Sequence, residues 1–316
     1  MNNMNFKVFT RCFTYNQIGY IKDTLDGFCM QQTNFPFVCV IFDDASTDGE
    51  PEYLQNYLDN YFESKESESF RYDETEDFRR VLTRHNTNRN CYFVVIFLKY
   101  NHYQLKKSKT TYYPDYCIKA EYQALCEGDD YWTDPLKLQK QVDFMDTHPK
   151  HSMCFHASCF RYSNGNVENR GLYDYNVEEC DIKNYILKGS SAIRLNTILY
   201  RTSMYIDFRE WAIDSPVGDG PICLTLFVNG KVAYMNEVMS LTRINAVGSW
   251  HQSQQSSFKR RHIHHKKVIK LWKQFDNWSG RKYHQTVRKK IWLNIKGHYI
   301  GNIMKVLSYI KHSICK

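Results

Sequence analysis

Over the first 150 positions the spacing of apolar residues switches repeatedly between strand and helix periods. Residues 6–13 predict a strand, and Ile18, Ile21, Leu25 and Phe28 recur at helical spacing behind it. Residues 37–42 are an unbroken apolar run, the pattern of a strand covered on both faces. After a polar loop at 43–49, Pro51 sits where a helix begins, with Tyr53, Leu54, Tyr57, Leu58 and Tyr61 on its apolar side. Residues 91–98 and 122–126 predict two further strands. A turn at 132–135 leads into a helix over 136–148, and 153–156 predict a fifth strand.

Residues 62–90 break this rhythm. The run Glu63-Ser64-Lys65-Glu66-Ser67-Glu68 is charged and polar, so the segment is expected to be a surface excursion or a mobile insert. Residues 160–190 show no dominant period. Order returns with an apolar stretch at 197–200, a helix over 221–228, and a strand pair at 232–234 and 238–242. Beyond 251 the composition is helical, with one apolar stripe at Val268, Leu271 and Trp272 and another at Ile303, Val306, Leu307, Ile310 and Ile314.

Alternating strands and helices predict an α/β fold: a mixed, mainly parallel, twisted sheet with helices on both faces. In such sheets ligands bind beyond the carboxyl ends of the strands. Both acid clusters of the chain, at 43–48 and 127–130, follow predicted strands directly.

Composition narrows the classes. With 42% hydrophobic, 16% aromatic and 24% charged residues, the 316-residue chain is neither disordered, collagen-like nor coiled-coil. No apolar run approaches the roughly 18 residues of a membrane span, and the polar first residues carry no signal-peptide core, so a cytoplasmic location is expected. Eleven cysteines without a Cys-x-x-Cys, mostly inside apolar runs, read as reduced buried hydrophobes. Charge is unevenly placed. Residues 251–316 hold sixteen Lys and Arg against one acid, Asp276, whereas acids outnumber bases before them. That split predicts an enzyme-like body at 1–250 and a basic helical extension at 251–316 that meets an anionic surface.

Three motifs bear on chemistry. Glu127-Gly128-Asp129-Asp130 packs three acids into four residues, which repel one another and persist best beside a cation. All-oxygen ligands suit Mg2+ or Mn2+. The alternative is a solvated turn ahead of a helix, with Asp134 as its cap. Asp43-Asp44-Ala45-Ser46-Thr47-Asp48-Gly49 imitates a calcium loop, but Gln55 stands where the bidentate acid belongs. It reads instead as a strand-to-helix loop in which an Asp accepts from a ligand N–H, with Ser46, Thr47 and Asp48 free to cap the helix. Asp219, before Pro221, is a helix cap on its own and a general base only in the company of the other two clusters. Lys106, Lys107 and Lys109 read as a solvated loop, with phosphate binding as the alternative. No Gly-x-Gly-x-x-Gly, Walker loop, His-Glu-x-x-His or Gly-x-Ser-x-Gly is present, which disfavours dinucleotide, P-loop, zincin and serine-hydrolase chemistry.

Phe13-Thr14-Tyr15-Asn16 resembles the T-Y-N loop of family 2 glycosyltransferases of the GT-A fold. Residues 41–49 are similar to their V-D-D-G-S-T-D-G segment, and residues 124–139 to the metal-binding segment of bacterial surface-polysaccharide members. Gly218-Asp219 resembles the later acid that acts as base. Residues 243–250 resemble the Y-R-x-H segment, with Thr242 in place of Tyr and Asn245 in place of His. The resemblance covers about 6–250 and implies a nucleotide-binding part at 1–130 and an acceptor part at 131–250.

That resemblance implies a metal-dependent, inverting hexosyltransferase that moves a sugar from a nucleotide diphosphate sugar, UDP-sugar favoured, to a hydroxyl of a glycan or lipid-linked acceptor. Phe13, Tyr15, Asp43, Asp44 and Asp129 would hold the nucleotide sugar, with Asp44 at the base. Asp130, with Asp129, would hold Mg2+ or Mn2+. Asp219 would be the general base, and Glu127, Trp132, Arg243 and Trp250 are candidate donor or acceptor contacts, with a core aromatic as the alternative for Trp132. The expected products are capsule, O-antigen or exopolysaccharide. The basic tail would dock on the inner face of the cell membrane, with a soluble helical appendage carrying a solvated basic face as the alternative. Alternatives are a non-catalytic nucleotide-sugar or polysaccharide-binding protein of the same fold, and a nucleic-acid-binding protein acting through its tail; nucleic acid is not expected as a partner.

Overall fold

The computed structural model of the chain describes residues 5–170, 177–189, 192–244 and 258–314, with the backbone alone described at 170, 258 and 301–314. The chain divides into two compact units. One is formed by 1–180, 193–205 and 229–249, the other by 181–192, 206–228 and 250–316.

The first unit contains β1 (Val8–Thr14), α1 (Ile21–Cys29), β2 (Phe37–Asp43), α2 (Glu50–Tyr61), β3 (Arg71–Glu74), β4 (Phe78–Arg84) and β5 (Cys91–Leu98). There follow α3 (His102–Leu105), α4 (Asp115–Ile118), β6 (Tyr122–Leu125), β7 (Tyr131–Trp132), α5 (Lys137–Thr147), β8 (His151–Tyr162), β9 (Val167–Arg170), β10 (Leu199–Arg201) and β11 (Lys231–Ile244). Its strands make one mixed sheet in the order β3-β4-β5-β2-β1-β6-β10-β8-β11-β7, with β9 paired to β8. The central block β5-β2-β1-β6 is parallel.

The apolar run of β2 is buried along its whole length because alternate residues serve two layers. Cys39 and Ile41 pack with Ile21, Leu25 and Phe28 of α1, Leu54 and Leu58 of α2, and Leu138 and Val142 of α5. Val38, Val40 and Phe42 face the other way, toward Phe9, Val94, Ile96 and the tyrosines at 112, 113 and 116. At about 25 cal/mol per Å2 of apolar surface removed from water, this two-sided burial is the main force holding the sheet. Ile18 lies ahead of α1 and is exposed, so the helix starts later than its spacing predicts.

Two expectations are corrected. Residues 62–90 are not a mobile insert. β3 and β4 form an antiparallel hairpin there, and β4 pairs with β5 along its full length. Phe78, Val81 and Leu82 are buried, whereas β3 shows mostly exposed polar side chains, as an edge strand does. The Glu63–Glu68 run is organised by Glu63, which pairs with Arg84 at 3.0 Å and with Arg89. The strand pair expected at 232–242 is one strand, β11, running parallel to β8 with register shifts between Met235 and Ser240. The polar pair Asn236-Glu237 mimics a turn in sequence but forms a bulge.

The second unit contains α6 (Ile182–Lys188), α7 (Asp219–Asn229, its last residue falling to the first unit), α8 (Phe258–Trp278) and α9 (His284–Ile314). Leu271, Trp272 and Phe275 of α8 are buried with Tyr283 and Val287, so the first predicted stripe of the tail is a core face. The second stripe, 303–314, falls where side chains lie outside the described residues. Trp211 stacks on Trp278 at 5.1 Å and donates from Nε1 to Thr225 Oγ1 at 3.0 Å. No helix among the described residues is long and apolar enough to cross a membrane.

Candidate active site

Three loops meet at the carboxyl edge of the parallel block. Register places Thr14 of β1 opposite Asp43 of β2, and Arg11 opposite Leu125 of β6. Beyond the strands the pairing continues: Asp44 N donates to Thr14 O at 3.0 Å, Cys126 N to Arg11 O at 3.1 Å, and Gly128 N to Phe13 O at 3.1 Å. The sheet thus carries the 43–48 and 127–130 clusters to either side of the β1 terminus.

The first two loops are laced together. Asn16, in left-handed backbone, donates its N–H to Ser46 Oγ at 2.9 Å and accepts from Thr47 N at 2.8 Å. Ile18 N donates to Asp48 at 2.9 Å, and Gln17 N to Glu50 at 2.8 Å. Ser46 and Thr47 therefore tie loop to loop. The N-cap of α2 is Gly49, at φ 93; Asp48 accepts from Glu50 N, and Ser46 Oγ donates to the Glu50 carboxylate at 3.1 Å. Tyr15 is left 40% exposed at the lip.

The paired aspartates have different surroundings. Asp44 has no exposure, and its carboxylate is committed: His102 N donates to Oδ1 at 2.7 Å, Tyr103 N to Oδ2 at 3.1 Å, and Lys109 Nζ lies 2.7 Å from Oδ2. Asp43 is as deeply buried, but its Oδ1 has no partner. Burial raises its pKa to about 7, against the relief given by Ser46. Of the two, only Asp43 keeps a carboxylate oxygen without a donor. Lys109 departs from the solvated-loop reading; Lys106 and Lys107 are exposed as expected.

Phe13 lies beneath this edge. Its ring packs on Phe42 at 5.3 Å, with the Arg11 guanidinium at 4.7 Å and Lys109 Nζ at 5.0 Å. Its N–H donates to Glu127 at 3.0 Å, and Arg11 lies 3.3 Å from the same carboxylate. Glu127 is therefore held by β1. Gly128 is required by space: a Cβ there would lie 2.4 Å from Gln17 Oε1 and 2.5 Å from Thr14 Oγ1. Thr24 of α1 then clamps the turn, donating toward Gly128 O at 3.0 Å and Asp130 O at 2.7 Å.

Asp129 and Asp130 are half-buried neighbours. Desolvation raises the pKa of both, and repulsion from Asp129 adds to the rise at Asp130. Asp130 Oδ1 accepts from Arg243 N at 2.9 Å, whereas no protein donor among the described residues engages Oδ2. The Arg243 side chain is 8% exposed. Its guanidinium donates to Asp129 O at 2.6 Å, pairs with Asp23, and lies between the rings of Tyr20 and Tyr131 at 5.0 and 4.9 Å. Trp132 takes the core-aromatic alternative, not the sugar contact. It is 1% exposed, edge-on to Phe28 at 4.9 Å, and donates to Asn196 O at 3.0 Å.

Asp219 is the first residue of α7, in the second unit. Trp250 lies outside the described residues. Sequence reasoning missed Asp23 and Tyr20, whose partner Arg243 is remote in the chain, and Glu50, which also accepts from Thr14 and Gln17 across the loops.

Two neighbouring carboxylates, with Asp130 Oδ2 unengaged and Arg243 bound to the main-chain rather than the side-chain oxygen of Asp129, fit a hard divalent ion that takes the rest of its shell from phosphate and water. No group of three or more His, Cys, Asp or Glu able to hold a metal occurs among the described residues.

No protein-family profile matches the chain. It is 32% identical over 249 residues to the uncharacterized proteins Mb1547 of Mycobacterium bovis and MT1570 and Rv1520 of Mycobacterium tuberculosis, an overlap of 76% of this chain. The chain spans 59% of the length of these curated relatives. Among solved structures it is similar to Staphylococcus aureus TarS 1–349 in complex with UDP-GlcNAc, with a TM-score of 0.55 and 17% identity over 86% of this chain and 67% of that one. For TarS 1–349 in complex with UDP the TM-score is 0.50, with 15% identity over 95% of this chain and 92% of that one. The fold expected from the sequence, a GT-A-type α/β sheet with helices, is the one found.

Proposed function

We propose that the chain is a glycosyltransferase that moves a sugar from a nucleotide diphosphate sugar to a hydroxyl of a glycan or lipid-linked acceptor, with inversion, in the manner of family 2 enzymes that build bacterial surface polysaccharides. One observation carries the reading: Phe13, Asp43 and the Glu127–Asp130 turn converge at the carboxyl edge of three adjacent parallel strands, where α/β sheets bind their ligands. That TarS, of like fold, was crystallised with UDP-GlcNAc supports a nucleotide sugar as donor.

In this reading Asp43 accepts the N–H of the base in place of Asp44, whose carboxylate is already engaged by His102, Tyr103 and Lys109, and Phe13 and Tyr15 flank it. Asp130, with Asp129, would hold Mg2+ or Mn2+. When bound, such an ion neutralises charge on the departing nucleoside diphosphate as a Lewis acid. Arg243 keeps the Asp129–Asp130 turn in place from behind, through Asp129 O and its own N–H. Asp219 is assigned the general base by its resemblance: its carboxylate takes the acceptor proton as the new glycosidic bond forms. The excess of Lys and Arg beyond 251, with Trp292 and Tyr299 exposed on α9, supports an anionic membrane surface as the place where it works.

The test is a screen of UDP-, GDP- and dTDP-sugars with Mn2+ for a rise in melting temperature, followed by donor hydrolysis. One donor well above its Kd should raise the melting point, and Asp130→Asn should abolish metal-dependent turnover while the variant still melts cooperatively. Turnover that survives Asp130→Asn would overturn the site, and no response to any donor would overturn the function.

A further inference from the structure

Within the second unit, the C-terminal end of α6 and helices α7, α8 and α9 line a half-open cavity of about 240 Å3. It falls below the roughly 300–1,000 Å3 of drug-sized ligand pockets, so it is too small for a whole nucleotide sugar. One wall is apolar, with Leu224 and the buried Trp272. The remainder is lined by donors and cations, including Lys188 and Lys290, and no lining residue is acidic.

Several of those donors are unspent. Tyr185 is 4% exposed, and its hydroxyl meets only the weakly accepting sulfur of Cys223. Asn294 Nδ2 is buried without a partner. Lys290 Nζ donates to Leu187 O at 2.9 Å, the one hydrogen bond of its three N–H groups, and burial lowers its pKa. Buried donors left without acceptors cost free energy, which a ligand rich in acceptors removes. Gly189, at φ 89, makes the approach possible: a Cβ there would lie 2.8 Å from Lys290 Nζ.

We propose that this cavity is a binding site for a phosphate ester, seated with its oxygens on Lys290, Asn294 and Tyr185 and its ester carbon toward the Trp272 wall. A phosphate presents more acceptor sites than a carboxylate and matches this count of N–H and O–H groups. The ester has two sources, a soluble organic phosphate or a lipid headgroup. On the lipid side, α9 exposes Trp292, Leu293 and Ile295 on either side of Asn294. The proposal stands independently of the glycosyltransferase reading.

The test uses the full chain with two probes: sn-glycerol 3-phosphate, followed by calorimetry, and phosphatidylcholine vesicles containing phosphatidic acid, followed by co-sedimentation. Vesicles with phosphatidylserine at matched net charge control for the general attraction of the basic helices. Binding of phosphatidic acid vesicles about tenfold tighter than the matched vesicles would support the site with a lipid source. Saturable binding of glycerol 3-phosphate without vesicle preference would support it with a soluble source. In either case Lys290→Met and Asn294→Leu should each weaken that binding about tenfold. Gly189→Ala, which drives Lys290 away, should do the same and serves if either variant fails to fold. Absence of both responses, or folded variants that bind like the parent, would overturn the proposal.

Discussion

Lys109 Nζ lies 2.7 Å from a carboxylate oxygen of Asp44, a side chain with no solvent exposure. The pair fastens the segment after β5 onto the end of β2, together with the N–H groups of His102 and Tyr103. Removing the cation leaves a buried carboxylate short of its compensation, and breaking such pairs costs about 3–5 kcal/mol. Lys109→Met should therefore lower the unfolding free energy in urea by about 3 kcal/mol, and Lys109→Arg by much less. A loss under about 0.5 kcal/mol for Lys109→Met would show that the backbone donors suffice.

Gly128 has no room for a side chain against Thr14 and Gln17. Gly128→Ala should cost about 1–3 kcal/mol by overpacking. It should also weaken donor binding, because the displaced turn carries Asp129 and Asp130. Gln17→Ala in the same chain should restore part of the stability, since the flexible Gln17 end is one of the two close atoms. Equal stability of parent and Gly128→Ala in thermal melts would contradict this packing.

Asp43 supplies a pH dependence of definite sign. Its folded pKa, about 7, is above the ordinary carboxylate value, so between about 4 and 7 the folded state binds more protons than the unfolded one. Stability from this group is present below that range and is lost as pH rises through 7. Asp43→Asn should consequently gain on the parent in melting temperature from pH 5 to pH 8. If Asp43 accepts a base N–H, donor affinity of the parent should rise over the same interval, and the variant should lack that rise. A flat difference in melting temperature across the range would refute the burial argument.

Arg243 spans Asp23, Asp129 O and two aromatic rings at once. A lysine keeps the charge but lacks the planar fork that makes these contacts together. Arg243→Lys should thus resemble Arg243→Ala, with kcat reduced at least about tenfold and the Km for donor changed less. Asp23→Asn should reproduce part of the loss. Retention of parental kcat by Arg243→Lys would reduce Arg243 to a point charge.

The order β1-α1-β2-α2 and the placement of the acid clusters after strands were legible because both rest on local signals: apolar period, Pro51 and the run of residues 37–42. The β3–β4 hairpin was not. Its outer strand is polar on both faces, and its inner strand, with Phe78, Val81 and Leu82, acquires meaning only beside β5. For Trp132 the sequence left a sugar contact and a core aromatic both open, and Phe28 and Asn196, remote in the chain, decide for the core.

The chain's own order of residues determined which groups could do chemistry and which segments form strands, since period, charge and turn residues act over a few positions. Tertiary structure alone decided the allotment of roles within each acidic pair. Asp43 and Asp44 are adjacent and identical in type, but His102, Tyr103 and Lys109 fold back onto only one of them. The physical reason is that a carboxylate's charge state and free lone pairs depend on what excludes water from it, and those neighbours arrive from far along the chain.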